Sequence, residues 1–139
     1  MLRLLFLQGI HLLLFIIIIA LLITHRDANG NDTKSFSVCS RVAEALNQKI
    51  YKSGGLLNTH NKFMNTYCDI KGGQLSFIYQ IETELLSISS EGKKEIKDEF
   101  CSEEKRVFFE FVDKVVSNYF SKQGNLVEQI TVTKNSCVK

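Results

Sequence analysis

Four cysteines carry the plainest chemistry in this 139-residue chain: Cys39, Cys68, Cys101 and Cys137, spaced by 29, 33 and 36 positions. No two form a Cys-x-x-Cys pair, so a zinc site lacks its usual local chelate. The set reads instead as a disulfide framework, for which four cysteines allow three connectivities. The expected one joins Cys39 to Cys68 and Cys101 to Cys137. The first bridge would pin a first helix to a first hairpin, the second a last strand to a second helix. Each closes a loop worth on the order of 3 kcal/mol in the chain-entropy picture. The competing reading, four reduced and buried thiols, belongs to a cytosolic protein.

The remaining inventory for catalysis is thin. Beyond the N-terminal region His60 is the sole histidine, on a loop, and a Cys–His nucleophile pair would need one thiol to be free. Asp69 with Glu82, or Glu103 with Glu104, are carboxylate pairs of the sort that chance supplies at this charge content. There is no Gly-x-Ser-x-Gly, no phosphate-binding glycine loop and no His-Glu-x-x-His. The expectation is a non-enzyme without metal or cofactor. Residues 31–139 hold 15 Lys/Arg against 14 Asp/Glu, which leaves no electrostatic footprint for nucleic acid.

The elements that must position these residues follow a long apolar run, Leu12 to Ile23. Its length suits the core of a signal peptide, with Ala28-Asn29-Gly30 as a small-x-small cleavage site. Counted from Leu4 to Ile23 the run is also long enough to anchor the chain in a bilayer. Residues 1–30 are therefore a signal peptide or an N-terminal membrane anchor, an apolar helix in either case. Residues 31–139 form a small disulfide-stabilised domain outside the cytoplasm, periplasmic or secreted, or held at the inner membrane. Asn31-Asp32-Thr33 fits a glycosylation sequon but reads more simply as a chance tripeptide.

Downstream, Ser37 can cap a helix to about Tyr51, with Val38, Val42, Ala45, Leu46 and Ile50 as its apolar stripe, ended by Gly54-Gly55. Gly72-Gly73 between two alternating runs predicts a hairpin, Lys62–Lys71 with Gln74–Glu82. It pairs Ile70 with Leu75, Cys68 with Phe77, Thr66 with Tyr79 and Met64 with Ile81. One face then carries Met64, Cys68 and Ile70, the other Phe63, Tyr67 and Ile78. A charged helix starts at Ser89 or Ser90 and buries Ile96, Phe100 and Cys101. Ser102 can cap a further helical turn from Glu103 to about Phe111. A second hairpin, Val115–Ser121 with Leu126 to about Cys137, turns near Gln123-Gly124-Asn125. Its register is open between Tyr119 opposite Ile130 (a two-residue loop, preferred) and Asn118 opposite Ile130 (three residues). The fold class is α+β: two antiparallel hairpins in a small sheet, with helices on one face.

The succession of a helix, Gly72-Gly-Gln-Leu-Ser-Phe-Ile-Tyr-Gln-Ile81, a charged helix ending Lys-Asp-Glu-Phe-Cys101, then Asn-Tyr-Phe-Ser-Lys-Gln-Gly-Asn-Leu126 and Ile-Thr-Val-Thr-Lys-Asn-Ser-Cys137 resembles small, largely uncharacterised bacterial exported domains. In those a helical cysteine pairs with one near the C-terminus. The resemblance covers about Val42 to Cys137, implies a periplasmic setting and brings no catalytic residue. The expected function is a non-enzymatic binding or accessory protein, of assembly-factor, inhibitor or immunity type. Its partner would be another protein, met through a patch of Phe63, Tyr67 and Ile78. A membrane-anchored regulator of exclusion or antiholin type, with the membrane as partner through Leu4 to Ile23, is the alternative. A small secreted hydrolase or toxin comes third.

Overall fold

The computed structural model describes residues 32–137. The apolar run, its cleavage site and Asn31 of the sequon lie outside the described residues. Among the described residues no helix is long and apolar enough to cross a membrane.

Among the described residues the first helix, α1 (Asp32–Ser53), turns Cys39, Val42, Ala43, Leu46 and Ile50 into the core. That is the i, i+3, i+4, i+7 spacing of a one-sided helix. Cys39 thus belongs to the stripe itself and Ala43 replaces Ala45. Ser37 caps nothing: it lies exposed inside the helix. Gly55, at φ +75, returns the chain toward the sheet, where its carbonyl accepts from Phe63 N–H at 2.7 Å. A Cβ at Gly55 would stand 2.8 Å from the Phe63 carbonyl oxygen, so the approach itself demands glycine.

Strands β1 (Asn61–Lys71) and β2 (Gln74–Thr83) meet at Gly72-Gly73, whose φ values of 60 and 73 are those of the expected type I′ turn. The register is as expected from Ile70↔Leu75 to Thr66↔Tyr79. It then breaks, because a bulge between Phe63 and Asn65 sets Phe63, not Met64, opposite Ile81. One extra residue exchanges the two faces. Phe63 therefore packs against the core, 5.7 Å from the Tyr79 ring, and Met64 is left exposed.

Helix α2 (Ser90–Phe100) is capped by Ser89, whose hydroxyl accepts from Gly92 N–H at 3.0 Å. Beyond it Ser102 donates its own hydroxyl to the Glu99 carbonyl and forms no cap, so the aromatic run makes only a 3-10 helix, Arg106–Glu110. Strands β3 (Lys114–Phe120) and β4 (Leu126–Thr133) complete a single sheet of order β1-β2-β3-β4. The two hairpins join through β2 and β3, which run parallel. Asp113 seals that join: its carboxylate accepts from Leu75 N–H at 2.7 Å and its own N–H donates to the Leu75 carbonyl at 2.8 Å.

Neither expected register for β3 and β4 holds. Ser117 faces Ile130 and Val115 faces Val132, around a loop of Ser121–Asn125. Ser121 closes that loop, with its N–H on the Asn125 carbonyl and its hydroxyl accepting from Asn125 N–H. The preferred register is wrong by two residues, an even slip, so Tyr119, Ile130 and Val132 stay on the inner face. β4 ends at Thr133, and Lys134–Cys137 is a 3-10 turn closed by hydrogen bonds between Thr133 and Ser136.

Both helices lie on the inner face. There Phe77 meets Phe108 edge-on with centroids 5.1 Å apart, and Tyr79 meets Phe100 at 5.7 Å. The bridges are Cys39–Cys68 and Cys101–Cys137, with Cα separations of 6.1 and 5.1 Å. The first ties α1 to β1. The second ties the residue that ends α2 to the turn after β4.

Candidate functional site

The supposed catalytic side chains are not brought together. Asp69 and Glu82 share the outer face but lie six rungs apart, opposite Ser76 and Lys62 respectively. Glu103 and Glu104 are exposed in a turn. His60 is exposed on its loop, its N–H held by the Asn58 side chain at 2.8 Å. Among the described residues no group of three or more His, Cys, Asp or Glu could hold a metal.

A polar cluster that the sequence did not announce sits between α2, the following turn and the sheet. Lys105 reaches back to pair with Glu99 and places its ammonium 4.9 Å from the Phe100 ring centre. Burial pulls the lysine below its ordinary range, with Glu99 opposing. Burial, then the Glu99 charge, raises both Tyr79 and Tyr119, the latter to about 12. The pair and the ring contact tie the turn after α2 back onto that helix. No helical period joins residues 99 and 105; they meet because the chain breaks at Cys101-Ser102.

The patch proposed from sequence comes apart. Tyr67 and Ile78 are cross-strand partners on the outer face, Tyr67 39% exposed and Ile78 buried. Phe63 has been carried to the inner face by the bulge. The outer face is instead crossed by four carboxamides in one rung, Asn65, Gln80, Asn118 and Gln129. Gln129 Nε2 donates to Asn118 Oδ1 at 2.7 Å.

Exposed apolar side chains gather elsewhere, at the end of the sheet where β2 and β3 finish. Leu86 is 97% exposed in the loop from β2 to α2, Leu85 38%, and Leu126 at the start of β4 54%. Leu85, Leu86, Thr83, Lys122 and Val127 line an open hollow of about 300 Å³. Its rim is braced by Lys122 on Glu84 at 2.8 Å, a hydrogen bond that lowers the carboxyl's pKa and raises the amine's. The doublet Leu85-Leu86 between a strand and a helix cap was the available sequence signal for this end.

The fold has a solved counterpart. It is similar to the crystal structure of a "putative secreted protein" from Pseudomonas aeruginosa, with a TM-score of 0.55 and 12% identity. The match covers 75% of this chain, about the share that residues 32–137 make up, and 96% of that one. At this identity the likeness concerns the fold alone. No protein-family model and no curated protein matches the chain.

Proposed function

We propose that residues 31–139 form a non-enzymatic binding or accessory domain that works outside the cytoplasm and holds a protein partner at the end of the sheet marked by Leu85, Leu86 and Leu126. The compartment rests on the cysteines: all four are joined in two bridges, a state that persists in oxidising surroundings. The secreted description of the structural counterpart agrees with it. The observation that carries the binding reading is Leu86, fully in water beside a hollow. A side chain of that kind gains its whole transfer free energy, about 1.5–3 kcal/mol, only when something covers it. Assembly-factor, inhibitor and immunity roles share this requirement.

Two measurements test the reading. Thiols alkylated at lysis, before any reductant, should all be blocked by bridges; four free thiols would refute the compartment. A photo-crosslinking residue at Leu86 should give a discrete protein adduct in cells, whereas one at Tyr51, 89% exposed near the end of α1, should not. Identical outcomes at the two positions would sink the partner site.

A further inference from the structure

We infer that the outer face of the sheet binds a neutral, hydroxyl-rich chain, an oligosaccharide, along the rung Asn65, Gln80, Asn118 and Gln129. This site adjoins the leucine end, since Phe120 faces Leu126 across β3 and β4, but the rung shares no residue with it, and its success or failure leaves that proposal standing.

The rung is set by register on all four strands. With neighbouring strands about 4.8 Å apart, its ends are about 14 Å apart, room for a short run of pyranose rings. Each carboxamide carries two donor hydrogens and an acceptor oxygen, and none carries charge. A row of this kind suits a ligand whose groups also donate and accept, which hydroxyls do. An anion would find acceptors facing it and no cation within the rung. The charged side chains of this face stand away from the rung: Lys62 opposite Glu82 on one side, Asp69 and Lys114 both beside Ser76 on the other, and Lys71 farther off, at the hairpin turn.

Aromatic rings flank the row. Tyr67 lies two residues from Asn65 and Phe120 two residues from Asn118, on the same face and on opposite sides of the rung. Tyr67 is 39% exposed and Phe120 half-buried, so both offer ring surface to the apolar faces of sugar rings. A protein partner gains less at the rung itself, because the large apolar residues beside it, Ile78 and Val116, are already buried at 8% and 7% exposure, and the exposed Leu126 lies beyond it, opposite Phe120.

The test uses the full oxidised chain with chitohexaose and cellohexaose, followed by titration calorimetry and amide chemical-shift mapping. At least one of the sugars should bind, with shifts concentrated on the four rung residues and Tyr67. The double variant Gln80→Ala/Asn118→Ala should weaken binding at least about tenfold, and so should Tyr67→Ala, while far-ultraviolet circular dichroism and bridge content stay unchanged. Leu86→Asp should leave sugar binding intact. Absence of binding by both sugars at millimolar concentration would overturn the inference, as would equal binding by both variants. A wild-type dimer dissolved by the double variant would overturn it too, by showing that a second copy covers the face.

Discussion

Replacing Asn47 by alanine should expose how the edge of β1 is held. The Asn47 carboxamide acts as one peptide of an absent neighbouring strand: Nδ2 donates to the Thr66 carbonyl at 2.8 Å, and Oδ1 accepts from Thr66 N–H at 2.7 Å. Oδ1 also accepts from the Thr66 hydroxyl, which keeps a second partner in the Ala43 carbonyl at 3.1 Å. Thr66 is 2% exposed, so Asn47→Ala strands two buried backbone groups, each costing about 1–3 kcal/mol. Asn47 itself is only half-buried and water can recover part of that, so the expected loss is about 2–4 kcal/mol. Urea unfolding with both bridges intact should show the midpoint falling by roughly 1–3 M at unchanged slope. Asn47→Asp provides the control. At neutral pH it keeps the acceptor and loses the donor, whereas its protonated form regains an O–H donor, so its deficit should narrow on acidification. A loss below about 1 kcal/mol for Asn47→Ala at constant slope would show that the amide is replaceable and refute the edge-clamp argument.

Three further outcomes are expected. Tyr79 and Tyr119 have raised pKa values, so their contribution is complete below pH 10 and disappears as pH climbs through the folded values. For Tyr119, moving from 10.0 to about 12, the loss is about 3 kcal/mol. Lys105, lowered by burial, acts oppositely, its penalty lifting as pH rises toward 10.5. Two of the four tyrosines should therefore ionise at 295 nm only as circular dichroism reports unfolding; smooth titration in the folded state would contradict this. Glu99→Ala should cost about 1–3 kcal/mol by leaving the Lys105 ammonium buried without its carboxylate, and Glu99→Leu with Lys105→Met should recover most of it in a double-mutant cycle. Gly55→Ala should lower the melting temperature more than Gly54→Ala. Both sites have φ +75, but only at Gly55 does the added carbon meet the Phe63 carbonyl oxygen.

What could be read ahead of the structure were the features that local chemistry dictates. Gly72-Gly73 specifies a two-residue turn, and from it the pairing follows outward as far as Thr66. Ser89 is a helix cap because a hydroxyl there has Gly92 N–H within reach. The spacing of four cysteines among recognisable elements led to both bridges. The failures have local causes as well. Met64 is looped out by a bulge that no residue type in Phe63-Met64-Asn65 announces, and Phe63 left the anticipated patch with it. Ser121 closes the second hairpin with its own hydroxyl, so counting from Gly124 chose too short a loop. The apolar end at Leu86 and the amide rung escaped notice for a different reason. Both depend on which strands become neighbours, and the parallel pairing of β2 with β3 is decided by packing across the crossover that contains α2.

The bridges also have a consequence for how the protein is made. Each joins cysteines that follow one another along the chain, the first with the second and the third with the fourth. A chain delivered N-terminus first to an oxidant presents Cys39 and Cys68 while Cys101 and Cys137 are still to come. Thiols joined in order of arrival give the native pairs directly. In an interleaved pattern the same order of arrival would favour wrong bridges, whose unaided rearrangement takes minutes to hours. For a chain delivered in that way, the consecutive pattern itself favours the native pairs.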